Sequence, residues 1–465
     1  MRYLSTRGAT AALAFDDVLL SGLARDGGLY LPESWPQLDL ASLAGLDYPA
    51  LAARVMQPFL GGRIAEADFA RLVRESYAGF GHQAIAPLRQ IDSRLWLMEL
   101  FHGPTLAFKD VALQLLGRLY DHVLGKRGQR VTIVGATSGD TGSAAIEACR
   151  DRPAIDIFIL HPQGRTSEVQ RRQMTTVLSP NVRNIAIAGS FDDCQDLVKG
   201  MFADASFRDE MHLAAVNSIN WGRIMAQIVY YVAAALALGA PKRRIAFAVP
   251  TGNFGNVYAG YAARAMGLPV STFIVGSNRN DILTRFIATG TMKIGTVHPT
   301  LSPSMDIQVS SNAERLLFDL FDRDGVRLNR AMQQFRQSGE LSLDAGQHKR
   351  LTDLFAGYRL DDEETLAAMG DLYRATGELI DPHSAIGIAA ARAANLDRDV
   401  AVIALGTAHP AKFPDAVEKA TGQRPALPPA LADLYSRPER FSVLNNDLSA
   451  VETHIRQQAE AGRAA

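Results

Sequence analysis

Short β-branched and apolar runs, each followed by a turn and a helix-like stretch, recur along this chain and restrict it to an alternating α/β plan. They fall at 130–134 (RVTIV), 155–160 (IDIFIL), 182–188, 245–249 (IAFAV), 270–275 and 400–405 (VAVIAL). Continuous apolar runs of this length suit strands covered on both faces, and the helical stretches between them predict mostly parallel pairing. With 465 residues there is room for two or three domains. The pattern predicts a small N-terminal unit over 1–85 and a main α/β region over 86–425. The main region divides into a smaller lobe near 95–215 and a larger one at 216–425. Several prolines and then a polar helix mark 426–465 as a peripheral C-terminal element.

Charge and cysteine usage exclude several classes of function. The formal net charge is −1, with no basic stripe and no acidic tail, so neither nucleic acid nor a membrane surface is expected as a partner. Small molecules are the default ligands. Cys149 and Cys194 stand apart without a CxxC pattern, which argues against a disulfide framework and a cysteine metal site. The opening MRYLSTRG has no apolar stretch, and the uncharged run at 228–238 is shorter than the roughly 20 residues a spanning helix needs. The expectation is a cytoplasmic protein with a buried core helix around 228–238.

Two strand–loop–helix units carry the first chemical signal. Their loops are 135–142 (GATSGDTG) and 252–256 (GNFGN). A helix N-terminus presents unpaired N–H groups and the positive end of a dipole, so anions collect there, and glycine lets the backbone come close. Neither loop fits GxxxxGK[ST] or GxGxxG, so nucleotide binding by those routes is unsupported. A glycine-rich turn also serves simply to reverse the chain, and the loops alone name no ligand.

The segment 102–110 (HGPTLAFKD) precedes a stretch whose Ala112, Leu115, Leu116, Leu119 and Val123 share one helical face. Lys109 therefore falls at a helix start. The dipole there disfavours a cation, and Leu106 and Phe108 are apolar neighbours. Both effects lower a lysine from its usual value of about 10.4 toward the neutral amine that imine chemistry needs. An ordinary surface lysine is the competing reading.

The segments HGPTLAFKD, SGDTG at 138–142, GNFGN, NSINWGR at 217–223, SPSMDIQVSSN at 302–312 and GTAHPAKFP at 406–414 together resemble threonine synthase. The stretch FDDVLLSGLARDGGLYLPESWP at 15–36 is similar to the longer, bacterial and fungal type of that family. The resemblance runs in order across nearly the whole chain. It implies the tryptophan synthase β-subunit-like fold, also called fold type II. That fold has two open, twisted, mostly parallel α/β domains, to which this type adds a small N-terminal domain. It implies pyridoxal 5′-phosphate as cofactor, bound as a Schiff base on Lys109. The amides of Gly252, Asn253, Phe254, Gly255 and Asn256 would hold the cofactor phosphate, and Thr407 would meet the pyridine nitrogen through its hydroxyl. Ser138, Asp140, Thr141 and Gly142 would line the place of the substrate's carboxylate. Asn217, Ser218 and Arg223 would hold the substrate's own phosphate, with Ser218 capping the helix that carries Arg223.

Asp140 sits oddly in that set, because an anion beside a carboxylate site is unfavourable. Relatives in the wider superfamily often have Asn there, near the cofactor's 3′-oxygen. Residues 302–312 and 381–383 (DPH) receive no role, beyond a cap near Asn312 for a helix at Glu314. The reaction implied converts O-phospho-L-homoserine and water to L-threonine and phosphate, by γ-elimination and β-addition of water. A phospho-lyase that releases 2-oxobutanoate, a serine or threonine dehydratase, and a catalytically silent binding protein of the same fold are the rivals. The family resemblance also implies a monomer.

Overall fold

A computed structural model describes residues 1–214 and 218–464, with side chains through residue 460. The chain divides into two compact units, Met1–Phe108 with Ser218–Pro425, and Lys109–Asn217 with Ala426–Ala465.

The first unit is built on a six-stranded sheet. Its order is Phe355–Arg359, Val270–Ser277, Ile245–Pro250, Ala401–Gly406, Leu95–Glu99 and Leu88–Gln90. All neighbours pair in parallel except the last two, which are antiparallel. Leu97, Ala248, Ile274, Val402 and Ala404 point from the sheet into a core that Leu372, Ile388 and Val417 complete. The expected core helix is Trp221–Ala237, buried along most of its length, so the apolar run at 228–238 is interior packing. Among the described residues no helix is long and apolar enough to cross a membrane.

The N-terminal residues join this same unit through a buried polar knot. Strands Tyr3–Ser5 and Tyr30–Pro32 pair antiparallel, and Tyr3, Trp35 and Phe59 surround Trp221. Glu314 accepts hydrogen bonds from Thr6 Oγ1 at 2.6 Å and from Arg7 at 2.9 and 3.1 Å, all three residues being buried.

The second unit is a five-stranded, wholly parallel sheet. Its order is Ser442–Asn445, Val182–Ala188, Ile155–Pro162, Val131–Ala136 and Leu213–Ala214. Two expectations change here. The C-terminal segment supplies the edge strand Ser442–Asn445, and Val451 and Ile455 of its last helix are fully buried against Phe158, Ile185 and Phe207, so it is core rather than periphery. The helix opening at Lys109 spans Lys109–Arg127 and is buried on nearly all sides, with Val111, Leu113 and Tyr120 inside as well as the expected face. Its one-faced pattern was only part of what packing uses.

The ion pair in the N-terminal knot gives a direct test. Glu314→Ala strands a buried guanidinium and is expected to lower stability by about 3–5 kcal/mol, read as a shift of the urea midpoint. A loss under about 1 kcal/mol, the scale of an exposed pair, would show that the knot is not holding the N-terminal strands.

Candidate active site

In open α/β sheets the loops leaving the carboxyl ends of the strands form the ligand-facing edge. Strand Ile245–Pro250 leads into 251–254, and helix Gly255–Ala265 begins there with Phe254 at φ +61°, a left-handed turn. The segment 302–312 clamps this loop from outside. Ser310 Oγ donates to the Gly252 carbonyl (2.8 Å), Ser311 N–H to Asn253 Oδ1 (2.8 Å), and Asn312 N–H to the Asn253 carbonyl (3.2 Å). A Cβ on Gly252 would lie 2.9 Å from Met305 Cα, so only glycine fits beneath the clamp.

The buried donors around this loop suit an anion. The hydroxyls of Tyr230 and Tyr231 donate to Asn256 Oδ1 at 2.5 and 2.9 Å, which fixes the amide's orientation. Asn256 Nδ2 and Thr251 Oγ1 are buried and find no hydrogen-bond partner among the described residues. In natural structures such atoms are met by water, an ion or a ligand.

Strand Ala401–Gly406 ends at Thr407, which is buried. The segment after it pins the stretch that leads to the lysine. The Phe108 amide donates to the Thr407 carbonyl (2.9 Å), the His409 amide to the Leu106 carbonyl (3.0 Å), and the buried Lys412 ammonium to the Thr105 carbonyl (2.6 Å). Leu106 takes φ +61°, a turn an L-residue rarely adopts unless its surroundings enforce it. Burial, with His102 nearby, pushes His409 down to about 4, so it is uncharged at neutral pH.

In the second unit Lys109 is the first residue of its helix and is buried. Its Nζ lies 3.3 Å from Asp140 Oδ2, and Asp140 Oδ1 accepts a hydrogen bond from Gln170 Nε2 (2.8 Å). Ser167 Oγ donates to Gln170 Oε1 (2.9 Å), so the amide of Gln170 is itself oriented. Asp140 therefore faces the lysine, where it had been grouped with the carboxylate-binding loop. The strand Val131–Ala136 leads into that loop, and helix Asp140–Cys149 follows it. Ser138 is exposed and Thr141 half-buried. The Gly142 amide, expected to face a ligand, instead donates to Thr137 Oγ1 (2.9 Å), as does that of Gly139 (3.0 Å). What Gly142 provides is space: a Cβ there would sit 2.4 Å from Thr137 Cγ2.

Of the third group, Asn217 lies outside the described residues. Ser218 does not cap the helix Trp221–Ala237; Asn220 does, accepting from the Gly222 amide (2.9 Å). Ser218 Oγ is instead hydrogen-bonded by Asn253 of the glycine loop, and its carbonyl accepts from Asn312 Nδ2 (3.2 Å). Asn312 likewise makes no side-chain cap at helix Ala313–Leu320, because its amide is engaged by Ser218 and Arg315. Arg223 is buried, and its Nε and Nη1 have no partner among the described residues. Burial pushes its guanidinium down to about 10, which still leaves it charged at neutral pH. An uncompensated buried cation is costly, and an anion is its natural complement.

Family comparisons agree with this layout. Residues 82–337 match the family model described as pyridoxal-phosphate dependent enzyme, residues 2–77 that of the threonine synthase N terminus, and residues 384–455 that of threonine synthase, C-terminal. The chain is 58% identical to the threonine synthase of Pseudomonas aeruginosa, with 100% of both chains covered. It is 37% identical to that of Saccharomyces cerevisiae, covering 98% of each. The crystal structure of a PLP-bound threonine synthase from Brucella melitensis superposes with a TM-score of 0.97 at 52% identity, covering 98% of this chain and 99% of that one.

The sheets, the glycine loop and the buried lysine define a pyridoxal-phosphate-dependent enzyme of fold type II. Within that class, the chain belongs to the threonine synthase family.

Sequence reasoning passed over Thr137, Gln170, Tyr230 and Tyr231, and over the contacts made by 302–312 and 381–384. Gln170 follows Ser167 by three residues, a capping spacing that was visible, but nothing local pointed it at Asp140. Gly252→Ala drives a Cβ against backbone, whereas Gly255→Ala meets only the Asn312 side-chain amide at 3.1 Å. Gly252→Ala is therefore expected to weaken cofactor binding by about tenfold or more, ~1.4 kcal/mol, and Gly255→Ala by less. Equal dissociation constants in an absorbance titration would separate the clamp from cofactor binding.

Proposed function

We propose that this enzyme converts O-phospho-L-homoserine and water to L-threonine and phosphate, with Lys109 as both the cofactor's covalent anchor and the base. Arg223 carries the substrate assignment. A buried guanidinium with two unpartnered donors fits a phosphate dianion in a way that a neutral side chain could not satisfy.

Bound pyridoxal phosphate supplies the electron sink that makes protons next to the amino-acid carbon removable. The amides of 252–256, with the unmet donors of Asn256 and Thr251, would hold its phosphate, and the Thr407 hydroxyl would be a neutral partner for its pyridine nitrogen. Ser138, Thr141 and neighbouring amides receive the substrate carboxylate at the start of helix Asp140–Cys149. The Lys109 amine would remove the Cα proton and move protons at Cβ. Asp140, 3.3 Å from Nζ, accepts the ammonium's hydrogen bond after each transfer, and Gln170 keeps the carboxylate turned toward it. Asn217, Ser218 and Arg223 would hold the γ-phosphate, and the unmet donors of Arg223 would meet the charge that develops on it as it leaves. Water then adds at Cβ.

Substrate and product together provide the check. Arg223→Gln is expected to lower kcat/KM for O-phospho-L-homoserine roughly 100-fold or more, the scale of cutting a buried charge pair, with the cofactor's absorbance band retained. The wild-type product should be threonine and phosphate in equal amounts. Release of 2-oxobutanoate in place of threonine would convert the assignment to a phospho-lyase, and an unchanged kcat/KM in the variant would remove Arg223 from phosphate binding.

A further inference from the structure

The Asp381-Pro-His383-Ser384 turn has no part in the chemistry above, yet it is among the most buried polar groups of the first unit. Asp381 is 0% exposed, Ser384 1% and His383 4%. Asp381 caps the helix Pro382–Ala393, accepting from the amides of His383 (3.0 Å) and Ser384 (3.1 Å). A cap needs only those two bonds, and this turn makes four more. The Thr407 amide donates to Ser384 Oγ (3.1 Å), and Ser384 Oγ in turn donates to Asp381 Oδ1. His383 Nδ1 lies 2.6 Å from Asp381 Oδ2, so the ring proton is on Nδ1. That leaves Nε2 as an acceptor, and it receives the amide of Ser304 at 3.3 Å.

Ser304 belongs to the clamp over the glycine loop. Its carbonyl would lie 3.3 Å from a Cβ on Gly252, and the following residue, Met305, sits closer still. A continuous line of hydrogen bonds thus runs from the Thr407 amide through Ser384, Asp381 and His383 to the backbone that shapes the phosphate loop. We propose that Asp381, His383 and Ser384 are positioning residues that lock Thr407 and the glycine-loop clamp into one rigid frame. The cofactor's ring nitrogen and its phosphate are then gripped at a fixed separation. The proposal rests on the assignment of Thr407 and of 252–256 to the cofactor.

The imidazole allows its two ends to be cut separately. His383→Asn can keep the link to Asp381 through its amide nitrogen but loses the acceptor for Ser304. His383→Gln puts a carbonyl oxygen near the place of Nε2 and restores that acceptor. Both variants leave similar space beside Phe413, whose ring centroid is 4.9 Å from that of His383. Loss of the Ser304–His383 hydrogen bond is the main penalty in His383→Asn, so its dissociation constant for pyridoxal phosphate should rise severalfold, up to about tenfold, and His383→Gln should recover most of that loss at a similar melting temperature. Ser384→Ala orphans the Thr407 amide and should raise the same constant and shift the bound cofactor's absorbance maximum. Combined with His383→Asn, it should add little, because both cuts break one line.

Dissociation constants that stay at the wild-type value, that follow the melting temperature in both His383 variants, or that multiply in the double variant would overturn the relay. Thr407→Val tells the two failures apart. If it leaves the absorbance and dissociation constant unchanged, the Thr407 assignment fails and the proposal with it. If it changes them while the His383 and Ser384 variants do not, the relay alone is wrong.

Discussion

A buried lysine ammonium loses its hydration, and the protein must return what water supplied. Lys109 lies at the start of a helix whose dipole opposes a positive charge, and its carboxylate partner Asp140 stands 3.3 Å away. That pairing constrains much of the second unit. Asp140 must itself be held, so Gln170 occupies its other oxygen and Ser167 occupies Gln170. Gln170 in turn leaves no room for a side chain at residue 139: a Cβ there would be 2.4 Å from its Cδ, and Gly139 takes φ +154°. The glycine of the SGDTG loop is thus explained by a carboxylate's partner as well as by the approach of a ligand.

The first unit solves the complementary problem of presenting positive and donor groups without filling them. Arg223, Asn256 and Thr251 keep buried donors unmet among the described residues, which only a scaffold secured elsewhere can sustain. The security comes from bonds to side chains and backbone alike: two tyrosine hydroxyls on Asn256, three clamp bonds on 252–253, and Arg315 bonded to Tyr30, Ile219 and Asn312. Stability given up at the donors is offset around them, as is common where a site waits for an anion.

The parallel α/β plan, the helix starts at Lys109 and at the glycine loop, and the buried helix at 221–237 were all legible in the sequence, because strand length, periodicity and glycine placement are local signals. Local signals misled where two residues competed for one task. Ser218 and Asn220 could each cap the same helix; Asn220 does so because Asn253 and Asn312 engage Ser218. Asn312 looked like a cap and was taken by Arg315. The roles of Asp140 and of Asp381, His383 and Ser384 depend on partners distant in sequence, and no spacing rule reports those. At the C-terminus the signal was present: Val451, Ile455 and Ala459 recur every four residues along the last helix, and that apolar edge is buried in the core.

The claim that everything else serves is the covalent bond between the cofactor and one particular amine. Reduction of the cofactor-loaded enzyme with borohydride, followed by proteolysis and mass spectrometry, locates that bond on the chain. The account expects the reduced pyridoxyl group on Lys109 alone. A label on another lysine, or none after loading, would contradict it.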